Sequence, residues 1–372
     1  MVNKHAARAV GAGILAAALG APALGDTISP TSYTNNDLAV GDSVTIDKTV
    51  VVESAGATSA LIDVFFLFDT SGSMGGEINA AQTASADILA GLDSFGDAAG
   101  GVGAYAEQAS LSLPPPGATI NQDISTDTAV GGTVDLAIDA ITLSNPDGGG
   151  DGLENGNTGI TQVAENAAWR PGSNRFIFVF GDAGFKDGGT DNVAGEPIST
   201  DAETIAALDA VGADLFGLNF GGSSFADSIT DLGGTSVDSS TDPDELVADI
   251  IDSIGGSFAE YTEVTVSDLG AGLPEILVEV VCTGADTGVC VGPDAVGDYD
   301  RSEDRTFTFD VTFTRQAAGD AAFPTFALVD GGAVATEDDR FGGEAPIPVP
   351  AALPLMGAAL AGLGVLRARR RG

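Results

Sequence analysis

Two periodicities divide this chain of 372 residues. The first is a set of unbroken apolar runs. LIDVFFLF, Leu61 to Phe68, has no polar alternation beyond Asp63, and it ends in Gly and Ser. Such a run predicts a strand buried on both faces, as in a parallel sheet covered by helices. RFIFVFG from Arg175 and DLFGLNF from Asp214 have the same character. Between them, helical spacing takes over. Ile78, Ala81, Ile88, Leu89, Leu92 and Phe95 recur on one helical face, and a Gly-rich turn is expected to follow. TDAETIAALDAVG opens with Thr200 and Glu203 in a capping-box pattern. DPDELVADIIDSI carries its acidic residues in the first turn, where the helix dipole favours them. Strands alternating with helices from Leu61 to Phe258 predict an α/β fold, a doubly wound and mostly parallel sheet.

The second periodicity belongs to the flanks. YTEVTVSDLG from Tyr261, EILVEVVC from Glu275 and RTFTFDVTFT from Arg305 alternate apolar with polar residues, and so does DSVTIDKTVVVES from Asp42. That is the pattern of half-buried antiparallel strands. Neither flank alone has enough strands for a stable sheet, so the expectation is one small antiparallel β-sandwich made from both. The organisation expected is a leader over 1–25, an N-terminal β segment over 26–60 and the α/β domain over 61–258. A C-terminal β domain over 259–343 then packs with 26–60, and a terminal segment covers 344–372.

The ends carry addresses. Lys4 and Arg8, the apolar stretch from Val10 to Leu19 and Ala21-Pro-Ala23-Leu-Gly25 read as a secretory signal peptide cut near Asp26. Ile347 to Leu366 is an apolar segment just long enough to span a bilayer, followed by Arg367, Arg369, Arg370 and Arg371. All 54 acidic residues lie between Asp26 and Glu344, whereas six of the 14 basic ones lie outside that interval. A surface so acidic makes nucleic acid and anionic membranes poor partners, and it suits salty surroundings. Cys282 and Cys290, the two cysteines, sit in VVCTGADTGVCV and are expected to pair across a hairpin in an exported protein. The single histidine, His5, falls in the leader, which excludes a Ser-His-Asp triad or a histidine zinc site from the mature chain. Trp169 is expected to pack at a helix end.

The candidate chemistry lies where the first apolar run stops. Asp69-Thr-Ser71-Gly-Ser73 delivers a carboxylate and two hydroxyls at alternate positions to the carboxyl end of a strand, the edge at which open α/β sheets bind ligands. Hard oxygen donors suit Mg²⁺, Mn²⁺ or Ca²⁺. The same residues also suit a plain strand end followed by a helix cap. The segment DTSGSM resembles the metal-ion-dependent adhesion site of von Willebrand factor type A domains. Asp151-Gly-Leu-Glu154 before a helix, and GDAGF after Arg175, narrow the resemblance to the A-type domain of integrin β subunits and its bacterial relatives. Leu153 stands where that family has Pro, and Gly76 replaces one of two acidic residues, leaving Glu77.

The resemblance implies a divalent cation held by Asp69, Ser71, Ser73, Glu154 and Asp182, with Asp151 a candidate for an adjacent site. In other A-type domains a Thr serves as loop ligand, which keeps Thr158 and Thr133 in play. It also implies a sandwich with the metal domain inserted in it. Val349-Pro-Ala-Ala and the basic tail resemble PEP-CTERM-type sorting signals, which imply an exosortase-type processing enzyme; the alternative is a permanent single-pass anchor. The function expected is an exported surface or matrix protein, not an enzyme, that captures a carboxylate of a protein or polysaccharide partner. A structural exopolysaccharide component, in which the cation only supports the fold, and a carboxylate-based hydrolase are the alternatives.

Overall fold

The computed structural model describes residues 25–54, 56–106, 118–143, 152–188 and 198–342. The segments read above as a leader and as a sorting signal, and Asp151, lie outside the described residues. The N-terminal flank supplies Thr27–Ser29 (β1), Ser32–Asn35 (β2) and Ser43–Val52 (β3). The central part begins with Ala60–Asp69 (β4), Gly75–Leu92 (α1), Gly96–Tyr105 (β5), Ala118–Ser125 (β6) and Thr133–Asp139 (α2). It continues through Gly156–Asn166 (α3), Asn174–Gly181 (β7), Asp201–Val211 (α4) and Ala213–Asn219 (β8). Ser223–Asp231 (α5), Thr235–Asp238 (β9) and Pro243–Ser257 (α6) complete it. The C-terminal flank runs through Glu260–Ser267 (β10), Ile276–Ala285 (β11), Val289–Val291 (β12), Asp294–Asp300 (β13), Arg305–Arg315 (β14), Ala321–Val329 (β15) and Gly332–Phe341 (β16).

The central sheet has the order β6-β5-β4-β7-β8-β9, parallel except for the antiparallel β5–β6 pair. β4 lies near its middle, and alternate residues serve opposite cores. Val64, Phe66 and Phe68 pack with α1, α2 and α6 through Ile78, Leu89, Ile138 and Ile250. Phe65 and Leu67 pack on the other face with α3, α4 and α5 through Ile160, Leu208 and Phe225. This is the doubly wound arrangement that the apolar runs predict.

One element departs from expectation. The Gly-rich stretch after Phe95 is not a turn; it is the buried strand β5. Its glycines admit neighbours that any side chain would exclude. A Cβ on Gly101 would stand 2.5 Å from the Phe65 ring, and one on Gly100 would stand 2.8 Å from Val134. Helix α2 and Phe65 of β4 therefore lie directly against the β5 backbone.

Among the described residues the flanks form two further sheets, β1-β3-β14-β11 and β12-β13-β10-β15-β16-β2. β3 pairs along its length with β14, and β2 with β16, so both flanks contribute to one sandwich. The two sheets enclose Val50, Val264, Phe307, Phe309, Phe313 and Phe341. Cys282 and Cys290 are bonded, with their Cα atoms 5.4 Å apart. The chain reverses there as expected, with Gly288 N donating to Ala285 O at 2.7 Å and Cys282 N to Gly292 O at 3.1 Å, but its two arms join different sheets: β12 pairs with β13 in the second, while β11 is an edge of the first. The disulfide therefore ties the edges of the two sheets together. Among the described residues no helix is long and apolar enough to cross a membrane.

The joint between the α/β part and the sandwich is polar. Asp63, buried at the start of β4, accepts hydrogen bonds from Arg170 N (2.7 Å), Arg170 Nε (2.6 Å) and Ser173 Oγ (2.8 Å). The loop so held reaches the β15–β16 turn, where Ala333 N donates to Gly172 O at 2.7 Å and Asn174 Nδ2 donates to Ala333 O at 3.1 Å. Asp63→Ala would leave a guanidinium and two further donors facing a vacated pocket. It should lower stability by about 3 kcal/mol in urea unfolding, and a loss under ~1 kcal/mol would contradict this role.

Candidate metal centre

Strands β4 and β7 end side by side, and β4 carries its last residue, Asp69, to full burial. Asp69 Oδ1 accepts the Ser71 N–H at 2.8 Å, which folds the chain back and brings the Ser71 and Ser73 hydroxyls to 3.3 Å from each other. A short turn over Gly72–Met74 then leads into α1. Neither Ser71 nor Met74 caps that turn or helix with a side-chain hydrogen bond. Thr70 N and Thr70 Oγ1 both donate to Tyr105 O at 2.9 Å, fastening the turn to the end of β5.

The electrostatics are those of buried carboxylates. Asp69 Oδ2 is buried without a hydrogen-bond partner. Burial pushes the Asp69 carboxyl up to about 7; hydrogen bonds from Ser71 oppose the rise, and the charge of Asp182 adds to it. Tyr105 is fully buried, and its phenol is pushed well up by burial and then by the charges of Asp69, Glu154 and Asp182. The phenol itself donates to Phe180 O at 3.4 Å. Glu77, in the first turn of α1, is half-buried and its Oε2 also lacks a hydrogen-bond partner.

Glu154 reaches this edge through backbone pairing. Its N–H donates to Gly184 O and its carbonyl accepts from Lys186 N, both at 2.8 Å, in a parallel bridge with Phe185. The side chain is buried beside α3. Asp182 follows β7 directly and is half-buried. Close packing holds both loops: a Cβ on Gly156 would stand 2.3 Å from the Phe185 ring, and one on Gly221 would stand 2.0 Å from Asp182 O.

The two threonines differ. Thr158 is buried in the first turn of α3, and its Oγ1 accepts from Ser199 N at 3.1 Å. Thr133 is exposed at the start of α2, with its hydroxyl paired to Ser125 Oγ at 2.9 Å. Asn155 was not anticipated. It is fully buried next to Glu154, and both polar atoms of its side chain lack partners. Hydropathy gives no sign of such a residue. Trp169 packs at the end of α3 as expected, with Nε1 donating to Ala164 O at 3.2 Å and its ring edge-on to Phe65.

Among the described residues no three His, Cys, Asp or Glu side chains gather closely enough to hold a metal by themselves. The donor set at the end of β4 is instead one unpartnered carboxylate oxygen with two hydroxyls. That set fits a hard divalent cation, and it supplies a use for an otherwise costly buried oxygen.

No family model matches this chain, and no curated protein matches its sequence. Solved structures do. A von Willebrand factor type A protein from Catenulispora acidiphila is 13% identical, with 86% of this chain and 74% of that one covered and a TM-score of 0.37. Proximal thread matrix protein 1 from the mussel byssus, solved with a zinc-occupied MIDAS motif, is 15% identical at 57% and 48% coverage, with a TM-score of 0.39. The pilus adhesin SpaC from Lactobacillus rhamnosus GG is 11% identical at 81% and 45% coverage, with a TM-score of 0.35. The match takes in about half the length of the mussel and Lactobacillus chains.

The glycine contacts give a direct test of how the loops are held. Gly156→Ala should force Phe185 and the Glu154 bridge apart and cost about 1–3 kcal/mol in urea unfolding. Gly221→Ala should cost at least as much, because the obstacle is backbone. Neutral behaviour of both variants would contradict the packing described.

Proposed function

We propose that this chain is an exported binding or adhesion protein that captures an acidic group of its partner through a divalent cation at the end of β4. The observation that carries this reading is Asp69 Oδ2, buried and unpartnered beside two hydroxyls at the carboxyl edge of the sheet. Ser71, Ser73 and Asp69 would hold the cation, with Asp182 and Glu154 completing the protein side directly or through water. A cation held largely by neutral hydroxyls keeps positive charge and attracts a carboxylate oxygen, which is how so acidic a protein binds an acidic partner. The chain's own part is positioning: the Ser71 N–H orients Asp69, and the Glu154 bridge keeps the second loop at the site.

The partner on this reading is a protein or polysaccharide with an accessible carboxylate, and no catalytic step is assigned. Export through the leader, and recognition of the Val349-Pro-Ala-Ala tail by an exosortase-type enzyme, belong to the same proposal. Together they put the protein at the cell surface or in the extracellular matrix.

Titration calorimetry with Mg²⁺ and Mn²⁺ tests the site. Asp69→Ala should abolish saturable binding while leaving the fold intact, and Glu154→Ala should weaken binding more than Thr158→Ala or Thr133→Ala. Unchanged affinity in folded Asp69→Ala would overturn the proposal. Loss at Thr158 or Thr133 in place of Glu154 would transfer the loop role to that threonine.

A further inference from the structure

The inward face of β3 reads Val44, Ile46, Lys48, Val50, Val52, so a lysine occupies a core position in the sandwich. Lys48 is fully buried. Its Nζ is in direct contact with Glu337 Oε2, lies 3.5 Å from Asp339 Oδ2, and sits over the Phe313 ring at 5.1 Å from the centroid. Glu337 and Asp339 are alternate, inward residues of β16 in the opposite sheet, each 1% exposed. Thr325 of β15 donates to Asp339 Oδ2. Glu337 Oε1 and Asp339 Oδ1 have no hydrogen-bond partner. One ammonium thus faces two carboxyls in an aromatic interior, an arrangement poorly compensated as ions.

We propose that Lys48 and Glu337 become joined by an amide bond inside the folded sandwich, with Asp339 carrying the protons. Burial pushes the Glu337 carboxyl up to about 7, ahead of the opposing influence of Lys48, so that it holds a proton near neutrality. Asp339, also raised chiefly by burial, takes a proton from Lys48 Nζ. The neutral amine attacks Glu337 Cδ and the C–N bond forms. Asp339 returns its proton to the departing hydroxyl, the C–O bond breaks and water leaves. The new amide nitrogen then gives up its extra proton to Asp339. Atoms and charge balance with no redox change and no co-reactant. The step exchanges a buried ion pair for a neutral amide, and removal of water from the apolar interior opposes its reversal.

Such a bond would have a mechanical consequence. It would join β3, the last strand before the α/β part, to β16, the last strand of the C-terminal flank. Tension applied through the two ends of the chain would pass between these strands and bypass the metal-bearing part. This inference is independent of the metal reading.

The test uses the full chain, purified folded, then reduced, denatured and digested with a protease for tandem mass spectrometry. The expected product is a branched peptide equal to the Lys48 and Glu337 peptides less one water. In Asp339→Asn that product should fall at least tenfold, with disulfide pairing and far-ultraviolet circular dichroism unchanged. Recovery of separate unmodified peptides from the wild type would overturn the proposal whether or not the variant folds. A branch from Lys48 to Asp339 would overturn the assigned roles, as would full linkage in folded Asp339→Asn.

Discussion

Burial of β4 on both faces is the constraint on which the rest depends. Each of Ile62 to Phe68 is hidden, so the strand cannot end at the surface in the ordinary way, and Asp69 is carried into the interior with it. A carboxylate there needs compensation. The chain supplies one backbone hydrogen bond, leaves the second oxygen without a partner, and places two hydroxyls alongside. The apolar run thus does more than fill a core, because it creates the electrostatic deficit that a cation would meet.

The same logic appears at the other end of the strand with the opposite outcome. Asp63 is as deeply buried as Asp69, but it receives three donors from the Arg170–Ser173 loop and is structurally satisfied. That loop continues to the β15–β16 turn, so the amino end of β4 is spent on joining the sandwich. Of these two carboxylates on one strand, six residues apart, Asp63 is paired with Arg170, and among the described residues Asp69 has no such ion pair. The sandwich repeats the theme in its own core, where Lys48 meets two carboxyls.

Much of this was legible in the residues. Continuous apolar runs marked β4, β7 and β8, alternation marked the sandwich strands, and the Asp-x-Ser-x-Ser spacing marked the turn at which donors gather. β5 was not legible. Hydropathy registers side chains, and a strand built from Gly100 and Gly101 is buried because its neighbours occupy the space where side chains would be. A spacing of eight residues between the cysteines shows the local reversal but not that the chain changes sheets across it. Asn155 and the Lys48 cluster escaped for a shared reason. A buried polar residue has the same letter as an exposed one, and only the register of β3 against β14 turns Lys48 inward.

The central claim is that the carboxyl end of β4 holds a divalent cation with a position left for a partner's carboxylate. Anomalous diffraction from a crystal soaked in Mn²⁺ tests it most directly. The account predicts one strong peak within coordinating reach of Asp69, Ser71 and Ser73, with one coordination position filled by water or by a carboxylate from outside the chain. A soaked crystal with no peak at that edge, or a peak whose positions are all filled by this chain's own side chains, would contradict it.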